Sequence, residues 1–273
     1  MMEVSKLPLI HGGTIPQIGL GTTHTIATEQ NVADAIGLGY RLLDTAENYQ
    51  NEVGVARAIK RGVDREDIFL TSKFNVAWHG VELAKDAWRE SVKRLDVGYL
   101  DLFMIHWPNP GQDRYVDAWR GLIQLREEGL VRSIGVSNFK VAHLQRLIDE
   151  TGFVPDVNQV QCSPYMVRSE QTAFHAEHGI ITEAWSPLGR GGELLADRVV
   201  VKIAEGFGRT PAQVVLRWHL QLGHVAIPRS SSLERLRENL DVFDFELSDE
   251  QIAELSALDQ GLAAGVDSDK TGH

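Results

Sequence analysis

Cysteine is almost absent from this 273-residue chain, which contains only Cys162. A single cysteine excludes an internal disulfide framework and a cysteine-based zinc cluster. No apolar run approaches the ~18 residues that a transmembrane helix needs. The opening residues MMEVSKLPLI lack the basic and then apolar pattern of a signal peptide. We therefore expect a cytoplasmic protein without a membrane partner.

Basic residues are fewer than acidic ones. The chain has 27 Lys and Arg against 38 Asp and Glu, which gives a formal net charge of −11. This balance argues against nucleic acid as a partner, but it is compatible with a small basic pocket for a phosphorylated ligand. Hydrophobic residues make up 43% of the chain, which is typical of a globular protein with a sizeable core.

The G-x-G-x-x-G fingerprint of dinucleotide-binding open sheets is also missing. Its nearest match, Gly19-Leu20-Gly21, lacks the third glycine. Short apolar runs instead alternate with amphipathic helical runs about eight times, without a Pro-, Gly- or Ser-rich linker. The predicted strands are 17–21, 41–45, 68–73, 100–107, 131–137, 157–162, 180–185 and 225–228. The predicted helices include 29–38, 81–95, 116–128, 212–222 and 249–258.

This alternation favours an α/β fold, a closed (β/α)8 TIM barrel, over an open doubly wound sheet. Such a barrel typically takes ~250 residues, so we predict a single barrel domain over residues 1–273. Before the first unit, segments 7–10 and 14–18 flank His11-Gly12-Gly13 and predict a β-hairpin. In a TIM barrel the chemistry is carried at the carboxyl ends of the strands.

Three titratable residues stand where predicted apolar strands end. Asp44 ends the second strand, Lys73 the third and His106 the fourth, and Tyr49 follows Asp44 by five residues. Each residue alone has an ordinary structural explanation, as a helix cap, a solvated strand tip or a packing residue. Because the ends of consecutive parallel strands are neighbours at one rim, their joint occurrence indicates a catalytic group.

The chemistry of this group suits the delivery of a proton to an oxygen that gains negative charge. Asp44 can keep a buried Lys73 protonated. We expect the Lys73 ammonium to lower the pKa of the Tyr49 phenol towards neutrality, which would make it a usable general acid. His106 can donate a hydrogen bond to a carbonyl oxygen. Asp44, His106 and a lysine are a poor ligand set, so we expect no metal.

Five strings in order resemble the signatures of the aldo-keto reductases. They are GYRLLDTAENYQNE at 39–52, Ser72-Lys73, His106-Trp107-Pro108, GVSNF at 135–139 and IPRS at 227–230. The chain is similar to the bacterial, diketogluconate reductase-type members. The resemblance implies a barrel closed at the bottom by the hairpin, and a monomer that reduces small-molecule aldehydes and ketones with NADPH.

Residue roles follow from the same resemblance. It implies a catalytic tetrad in which Tyr49 is the acid, Lys73 tunes it, Asp44 holds Lys73 and His106 orients the carbonyl. Other family positions carry over as cofactor-binding residues. These are Thr22, Asp44, Ser137, Asn138, Gln159, Trp185, Ser186, Leu188, Gly189, Arg229, Ser230, Ser232, Arg235, Glu238 and Asn239. Ser137, Asn138 and Gln159 would hold the nicotinamide amide, and Trp185 would stack on its ring.

A phosphate site is also indicated by the residues themselves. Arg229 and three serines precede a predicted helix that contains Arg235. Hydroxyls, guanidiniums and helix N-terminal amides suit a phosphate dianion. The resemblance places the adenosine 2′-phosphate here, and it therefore implies a preference for NADPH. Arg229 replaces the lysine of the family, and a guanidinium fork differs in geometry from an ammonium, so NADH remains possible.

The substrate side is predicted from the same family positions. Thr23 and Asn75 are small and polar where many relatives carry aromatic residues, which predicts a wider or wetter pocket. Trp107 and Trp78 would form its apolar walls, and Asn48 is the fifth predicted substrate contact.

Two alternatives from other classes stay open. Barrels also host Schiff-base aldolases in which a strand-end lysine is the nucleophile, and Lys73 could take that role. The second alternative is a non-catalytic member of the family that senses a nucleotide.

Overall fold

Eight parallel strands form the centre of the computed structural model, which describes residues 4–23, 29–190, 192–262 and 265–272. The strands are β3 (Leu20–Gly21), β4 (Leu42–Asp44), β5 (Phe69–Phe74), β6 (Leu100–Ile105), β7 (Val131–Ser137), β8 (Val157–Gln161), β9 (Ile181–Trp185) and β10 (Val225–Ile227). They pair in sequence order. A parallel bridge from Ile18 to Ala226 joins the two ends of the sheet, so the predicted TIM barrel is confirmed.

The helices surround this barrel. They are α1 (Glu29–Leu38), α2 (Glu52–Gly62), α3 (Val81–Leu95), α4 (Tyr115–Glu127), α5 (Val141–Thr151), α6 (Ser169–His178), α7 (Arg198–Phe207), α8 (Pro211–Gln221), α9 (Leu233–Leu240) and α10 (Asp249–Ser256). Thr210 caps α8 through the backbone N–H of Gln213, and Ser248 caps α10 in the same way. No helix in the described ranges is both long and apolar enough to span a bilayer.

The predicted hairpin closes one end of the barrel. Strands β1 (Lys6–Pro8) and β2 (Thr14–Pro16) pair antiparallel around a turn in which Gly12 and Gly13 have φ values of 101° and 82°. Leu9 and Ile15 of the hairpin are buried in one cluster with residues that begin strands, including Leu42 of β4. The amino ends of the strands are therefore sealed by apolar contact.

The inward-facing side chains are polar at the end of the barrel opposite the hairpin. Side chains two residues apart on a strand face the same side of the sheet. Leu42 on β4 is therefore followed on the inside by Asp44, and Val157 on β8 by Gln159. The interior changes from apolar to polar along the barrel axis, and the site lies at the polar end.

The C-terminal segment is attached to the start of α5. Lys140 Nζ lies 2.6 Å from an oxygen of Asp267 and 2.5 Å from an oxygen of Asp269. These ion pairs fix the segment beside the loop that follows β7.

Two glycine-to-alanine replacements test the helical packing, and we expect them to change the free energy of unfolding in opposite directions. A Cβ at Gly121 in α4 would lie 2.6 Å from the carbonyl oxygen of Val81 in α3, whereas a Cβ at Gly206 in α7 meets nothing within 4 Å. We expect Gly121→Ala to lower the free energy of unfolding by about 1–3 kcal/mol. Gly206→Ala should raise it by about 0.5–1 kcal/mol because alanine favours the helix. Urea denaturation measures both, and a Gly121→Ala variant as stable as Gly206→Ala would contradict the packing.

Candidate active site

A cavity of about 580 Å³ opens at the carboxyl ends of the strands. It brings together most of the residues predicted from the sequence. Those on its wall are Thr23, Asp44, Asn48, Tyr49, His106, Trp107, Ser137, Asn138, Gln159, Trp185, Ser186, Leu188, Gly189 and Arg229. They come from separate strands and loops, and the barrel alone places them around one space.

The floor of the site is an ion pair between Lys73 and Asp44. Lys73 Nζ donates to both Asp44 carboxylate oxygens at 2.7 Å and to the carbonyl oxygen of Thr45 at 2.9 Å. Both side chains are buried, and Lys73 is completely inaccessible. Burial lowers the pKa of Lys73. The charge of Asp44 and its hydrogen bonds raise that pKa by more than burial lowers it, so the net shift is upward. Lys73 therefore stays protonated.

Tyr49 lies between Lys73 and His106. It ends a short helical turn, Glu47–Tyr49, directly after β4. Lys73 Nζ is 5.2 Å from the centre of the Tyr49 ring. The His106 ring meets the phenol edge-on, with ring centres 5.7 Å apart and planes at 77°. The three side chains thus meet at the base of the cavity.

The expected direction of the Tyr49 pKa is wrong. Desolvation by burial raises the pKa of Tyr49. The charge of Lys73 lowers it, as expected, but the charge of Asp44 raises it again, and the net shift is upward. The sequence argument included the ammonium and left out both burial and the carboxylate that accompanies the ammonium. The phenol consequently remains protonated at neutral pH.

Asn138 connects the aromatic wall to the base of the site. It follows β7 with φ of 64°, a left-handed conformation that asparagine tolerates well. Its Nδ2 donates to the carbonyl oxygen of His106 and to Ser137 Oγ, both at 3.0 Å. Its Oδ1 accepts from Trp185 Nε1 at 2.9 Å. Asn138 therefore orients Trp185 along the cavity wall and fixes the backbone at His106.

Some predicted residues lie behind the cavity wall. Thr22 is buried and donates from its hydroxyl to the backbone carbonyl oxygen of Asp44 at 2.9 Å. Lys73 likewise lies behind the wall, where its ammonium contacts Asp44 and the Tyr49 ring. Both residues support the site from below, and the described lining includes neither.

The predicted phosphate and adenine residues extend from the cavity along α9. Arg229 lines the cavity, whereas the other predicted phosphate residues, Ser230, Ser232 and Arg235, and the predicted adenine residues, Glu238 and Asn239, do not. Ser232 is the N-cap of α9 and accepts from the Arg235 amide. Glu238 accepts a hydrogen bond from the Thr210 hydroxyl. Ser230 and Asn239 are buried, so part of this group serves local packing.

Asn75 and Trp78 are not on the described cavity wall, in contrast to the sequence prediction. Asn75 caps a short turn by accepting from the Ala77 amide at 3.0 Å. Its Nδ2 also donates to Asn48 Oδ1 at 2.8 Å. Trp78 Nε1 donates to a Glu47 carboxylate oxygen at 2.8 Å. Both side chains are turned to the residues that flank Tyr49, and they brace the wall from outside.

Two residues of the site were missed by the sequence reasoning. Glu183 on β9 is completely buried inside the barrel, and its Oε2 accepts from Gln159 Nε2 at 2.7 Å. Arg190 lines the cavity with its guanidinium carbon 5.1 Å from the centre of the Trp185 ring. A charged residue inside an otherwise apolar predicted strand was the available signal for Glu183. For Arg190 it was a basic residue in a glycine-rich loop of an acidic chain.

A second polar group lies outside the cavity. Potential metal-binding atoms of Cys162, His219 and His224 are within 4.8 Å of one another and buried. The Nδ1 atoms of the two histidines are 3.4 Å apart, and His219 Nε2 lies 3.3 Å from the carbonyl oxygen of Pro187. These contacts account for both rings as hydrogen-bonded parts of the packing between α8 and the barrel.

Comparison with known proteins agrees with the fold. A model of the Aldo/keto reductase family matches residues 17–260. Methylglyoxal reductase DkgA of Salmonella typhimurium is 47% identical over 277 residues, covering 100% of both proteins. The 2,5-diketo-D-gluconic acid reductase B of a Corynebacterium species is 48% identical over 265 residues, covering 96% of this chain and 95% of that protein.

Solved structures give the same result. A variant of Gox0644 in complex with NADPH matches with a TM-score of 0.92 and 42% identity, covering 98% of both chains. Barrel and site together define an oxidoreductase. The chain belongs to the aldo/keto reductase family, which confirms the resemblance found in the sequence.

Removal of the Asp44 charge tests the floor of the site. Asp44→Asn leaves a buried ammonium without its charge partner, so we expect the free energy of unfolding to fall by about 3–5 kcal/mol at neutral pH. Without that partner, burial lowers the pKa of Lys73, the unfolded state binds more protons, and the stability of the variant should rise with pH. In the wild-type protein the Lys73 pKa is raised. The stability that the charged Lys73 contributes is therefore present at neutral pH and is lost as the pH rises through that pKa.

The control is Asp96→Asn, since Asp96 forms an exposed ion pair with Lys60 and should contribute less than about 1 kcal/mol. Chemical denaturation at several pH values measures both variants. An Asp44→Asn protein as stable as the Asp96→Asn protein near neutral pH would rule out a buried ion pair.

Proposed function

We propose that the protein reduces aldehydes and ketones to alcohols with NADPH, and that Tyr49 is the general acid. The observation that carries the proposal is the position of Tyr49 between a permanently charged Lys73 and His106 at the base of the cavity. The proposal takes the protein to be a cytoplasmic monomer.

The residues around the cavity fit a nicotinamide cofactor. Trp185 presents a flat aromatic surface, and its orientation is fixed by Asn138. Ser137 and Gln159 place hydroxyl and amide groups beside it, and Arg229 adds a guanidinium at the wall. Aromatic faces, amides and cations are the groups that suit a ring, a carboxamide and phosphates respectively. When bound, the cofactor supplies a hydride to the carbonyl carbon.

Tyr49 supplies the proton in this proposal. Its O–H donates to the carbonyl oxygen and the proton is transferred there, so that hydride and proton together complete the alcohol. The raised pKa keeps the phenol protonated before the reaction. After transfer, the Lys73 ammonium stabilises the phenolate, and Asp44 keeps that ammonium charged. General acid catalysis of this kind typically contributes about 10²–10⁴ in rate.

His106 has the orienting role. Its ring lines the cavity beside Tyr49, and its backbone carbonyl is held by Asn138. A ring N–H directed at the same carbonyl oxygen would align the carbonyl with the phenol. Two groups then converge on one oxygen, which favours the pose needed for proton transfer.

Small, polar carbonyl compounds suit the pocket best. Thr23, Asn48 and His106 give it polar walls, and Trp107 gives one apolar wall. The names of two relatives specify methylglyoxal and 2,5-diketo-D-gluconic acid. Both are small compounds with two carbonyl groups, and we extend that substrate class to this chain.

The geometry argues against the aldolase alternative. A Schiff-base lysine needs a neutral amine that faces the substrate. Lys73 is charged, donates three hydrogen bonds to Asp44 and Thr45, and is completely buried. The juxtaposition of Tyr49, Lys73 and His106 likewise favours an enzyme over a nucleotide sensor. Borohydride trapping in the presence of a ketone should therefore leave Lys73 unlabelled.

Tyr49→Phe tests the assignment of the acid. Removal of the hydroxyl should reduce kcat by a factor of at least about 10², because the group that transfers a proton to the carbonyl oxygen is lost while His106 only orients the carbonyl. NADPH affinity should stay within about twofold, since the ring and its packing are kept. Loss of NADPH absorbance with methylglyoxal measures the rate, and fluorescence titration measures binding.

Tyr165→Phe is the matched control, because Tyr165 donates from its hydroxyl to Asp197, outside the cavity lining. It should keep full activity. A Tyr49→Phe enzyme with most of the wild-type rate would exclude Tyr49 as the proton donor.

Arg229→Ala tests the cofactor preference. If the Arg229 guanidinium contacts the phosphate that distinguishes NADPH from NADH, its loss should weaken the binding of NADPH about tenfold or more. The affinity for NADH should be nearly unchanged. Arg57→Ala, on the exposed side of α2, serves as the control for a lost surface charge. Equal weakening of both cofactors would show that Arg229 does not select for the phosphate.

A further inference from the structure

Glu183 is a buried carboxylate that the proposed mechanism does not use. It lies on β9 directly beside Gln159 of the neighbouring strand β8, since the two residues are register partners. Glu183 is completely inaccessible to solvent. A carboxylate in the interior of a barrel is costly unless its charge is balanced, so its presence beneath the cavity needs an explanation.

Gln159 joins Glu183 to the floor of the site. The single nitrogen Nε2 donates to Asp44 Oδ2 at 2.8 Å and to Glu183 Oε2 at 2.7 Å. An amide nitrogen carries two hydrogens, and both are used here. The carbonyl oxygen is therefore the end of the Gln159 amide that remains available to the cavity, and the two carboxylates together fix that orientation.

The charges of the site do not balance if both carboxylates are ionised. The ionisable groups that face Glu183 are Asp44 from β4 and Lys73 from β5. Lys73 donates to both oxygens of Asp44, so one cation serves two acids. Burial raises the pKa of Glu183 to about 8, and the charge of Asp44 acts in the same direction. Gln159 and Lys73 lower that pKa by smaller amounts.

We propose that Glu183 is a positioning residue that holds Gln159, and that its charge makes the site favour the oxidised over the reduced cofactor. The inference rests on the proposed function. An oxidised nicotinamide ring carries a positive charge and a reduced ring does not. An ionised Glu183, held behind the Gln159 wall of the cavity, would stabilise a positively charged ring bound there, whereas a protonated Glu183 would favour neither form. Because Gln159 is held by both carboxylates, its contact with the cofactor is kept in either state.

This arrangement couples cofactor binding to protonation. If NADP⁺ favours ionised Glu183, then NADP⁺ binds more tightly as the pH rises through the pKa of Glu183, and binding releases a proton. NADPH binding lacks this dependence. The ribose phosphate is common to both cofactors, so its own ionisation cancels when their dissociation constants are compared. At neutral pH the protonated acid helps the oxidised product to leave.

Binding measurements without turnover test the inference. Dissociation constants for NADP⁺ and NADPH are measured by calorimetry from about pH 6 to about pH 10, on the wild-type protein and on Glu183→Gln. In the wild type the affinity for NADP⁺ relative to NADPH should rise about tenfold over this range, the change that a one-unit difference in pKa produces. In Glu183→Gln the ratio should be constant.

Glu183→Gln keeps an oxygen that can accept from Gln159 and removes only the ionisable group. Glu183→Leu also removes the acceptor, so it should raise the KM for NADPH several-fold, whereas Glu183→Gln should leave that KM unchanged. Glu52→Gln is the matched control, because Glu52 is a buried carboxylate bonded to Ser72, Ser91 and Arg94 on the outside of the barrel. Its cofactor ratio should follow that of the wild type. Circular dichroism verifies folding.

The outcomes separate this inference from the proposed function. The role of Glu183 alone would be overturned if the dissociation constants of NADP⁺ and NADPH changed in parallel with pH in the wild type. It would also be overturned if their ratio depended on pH in Glu183→Gln as it does in the wild type. A wild-type protein that binds neither cofactor would overturn the proposed function together with this inference.

Discussion

The ion pair between Lys73 and Asp44 is the interaction on which the site depends. It places a permanent positive charge beneath Tyr49, in a region that water does not reach. A lone lysine there would lose its proton. The contact with both Asp44 oxygens keeps Lys73 charged, and the Asp44 contact to Gln159 extends the same network towards β9. The surroundings of Tyr49 and Gln159 both depend on this pair.

The barrel supplies the geometry that the pair requires. Asp44, Lys73 and Gln159 lie on three different strands, and their side chains meet in direct hydrogen bonds inside the barrel. Apolar side chains fill the opposite end, where the hairpin contributes Leu9 and Ile15. The polar residues are therefore held between a sealed apolar base and an open cavity, which raises the strength of each electrostatic contact.

Much of this arrangement could be predicted from the sequence. Apolar runs of strand length identified all eight barrel strands, and strand-end charges identified Asp44, Lys73 and His106. Sequence spacing could not give side-chain direction, so Asn75 and Trp78 were placed on a wall that they only support. It also could not weigh burial against charge, and the pKa of Tyr49 was therefore expected to move in the wrong direction. Glu183 was missed because its significance depends on a neighbour in another strand.

The pH dependence of carbonyl reduction in Lys73→Met, compared with the wild type, tests the central claim most directly. In the proposed mechanism reduction needs a protonated Tyr49, so the rate falls as pH rises through the Tyr49 pKa. Since the Lys73 charge lowers that pKa, the account predicts that the falling limb moves to higher pH in Lys73→Met, with a rate lower by about 10² or more. If the rate of Lys73→Met fell over the same pH range as that of the wild type, the Lys73 charge would not act on the proton donor.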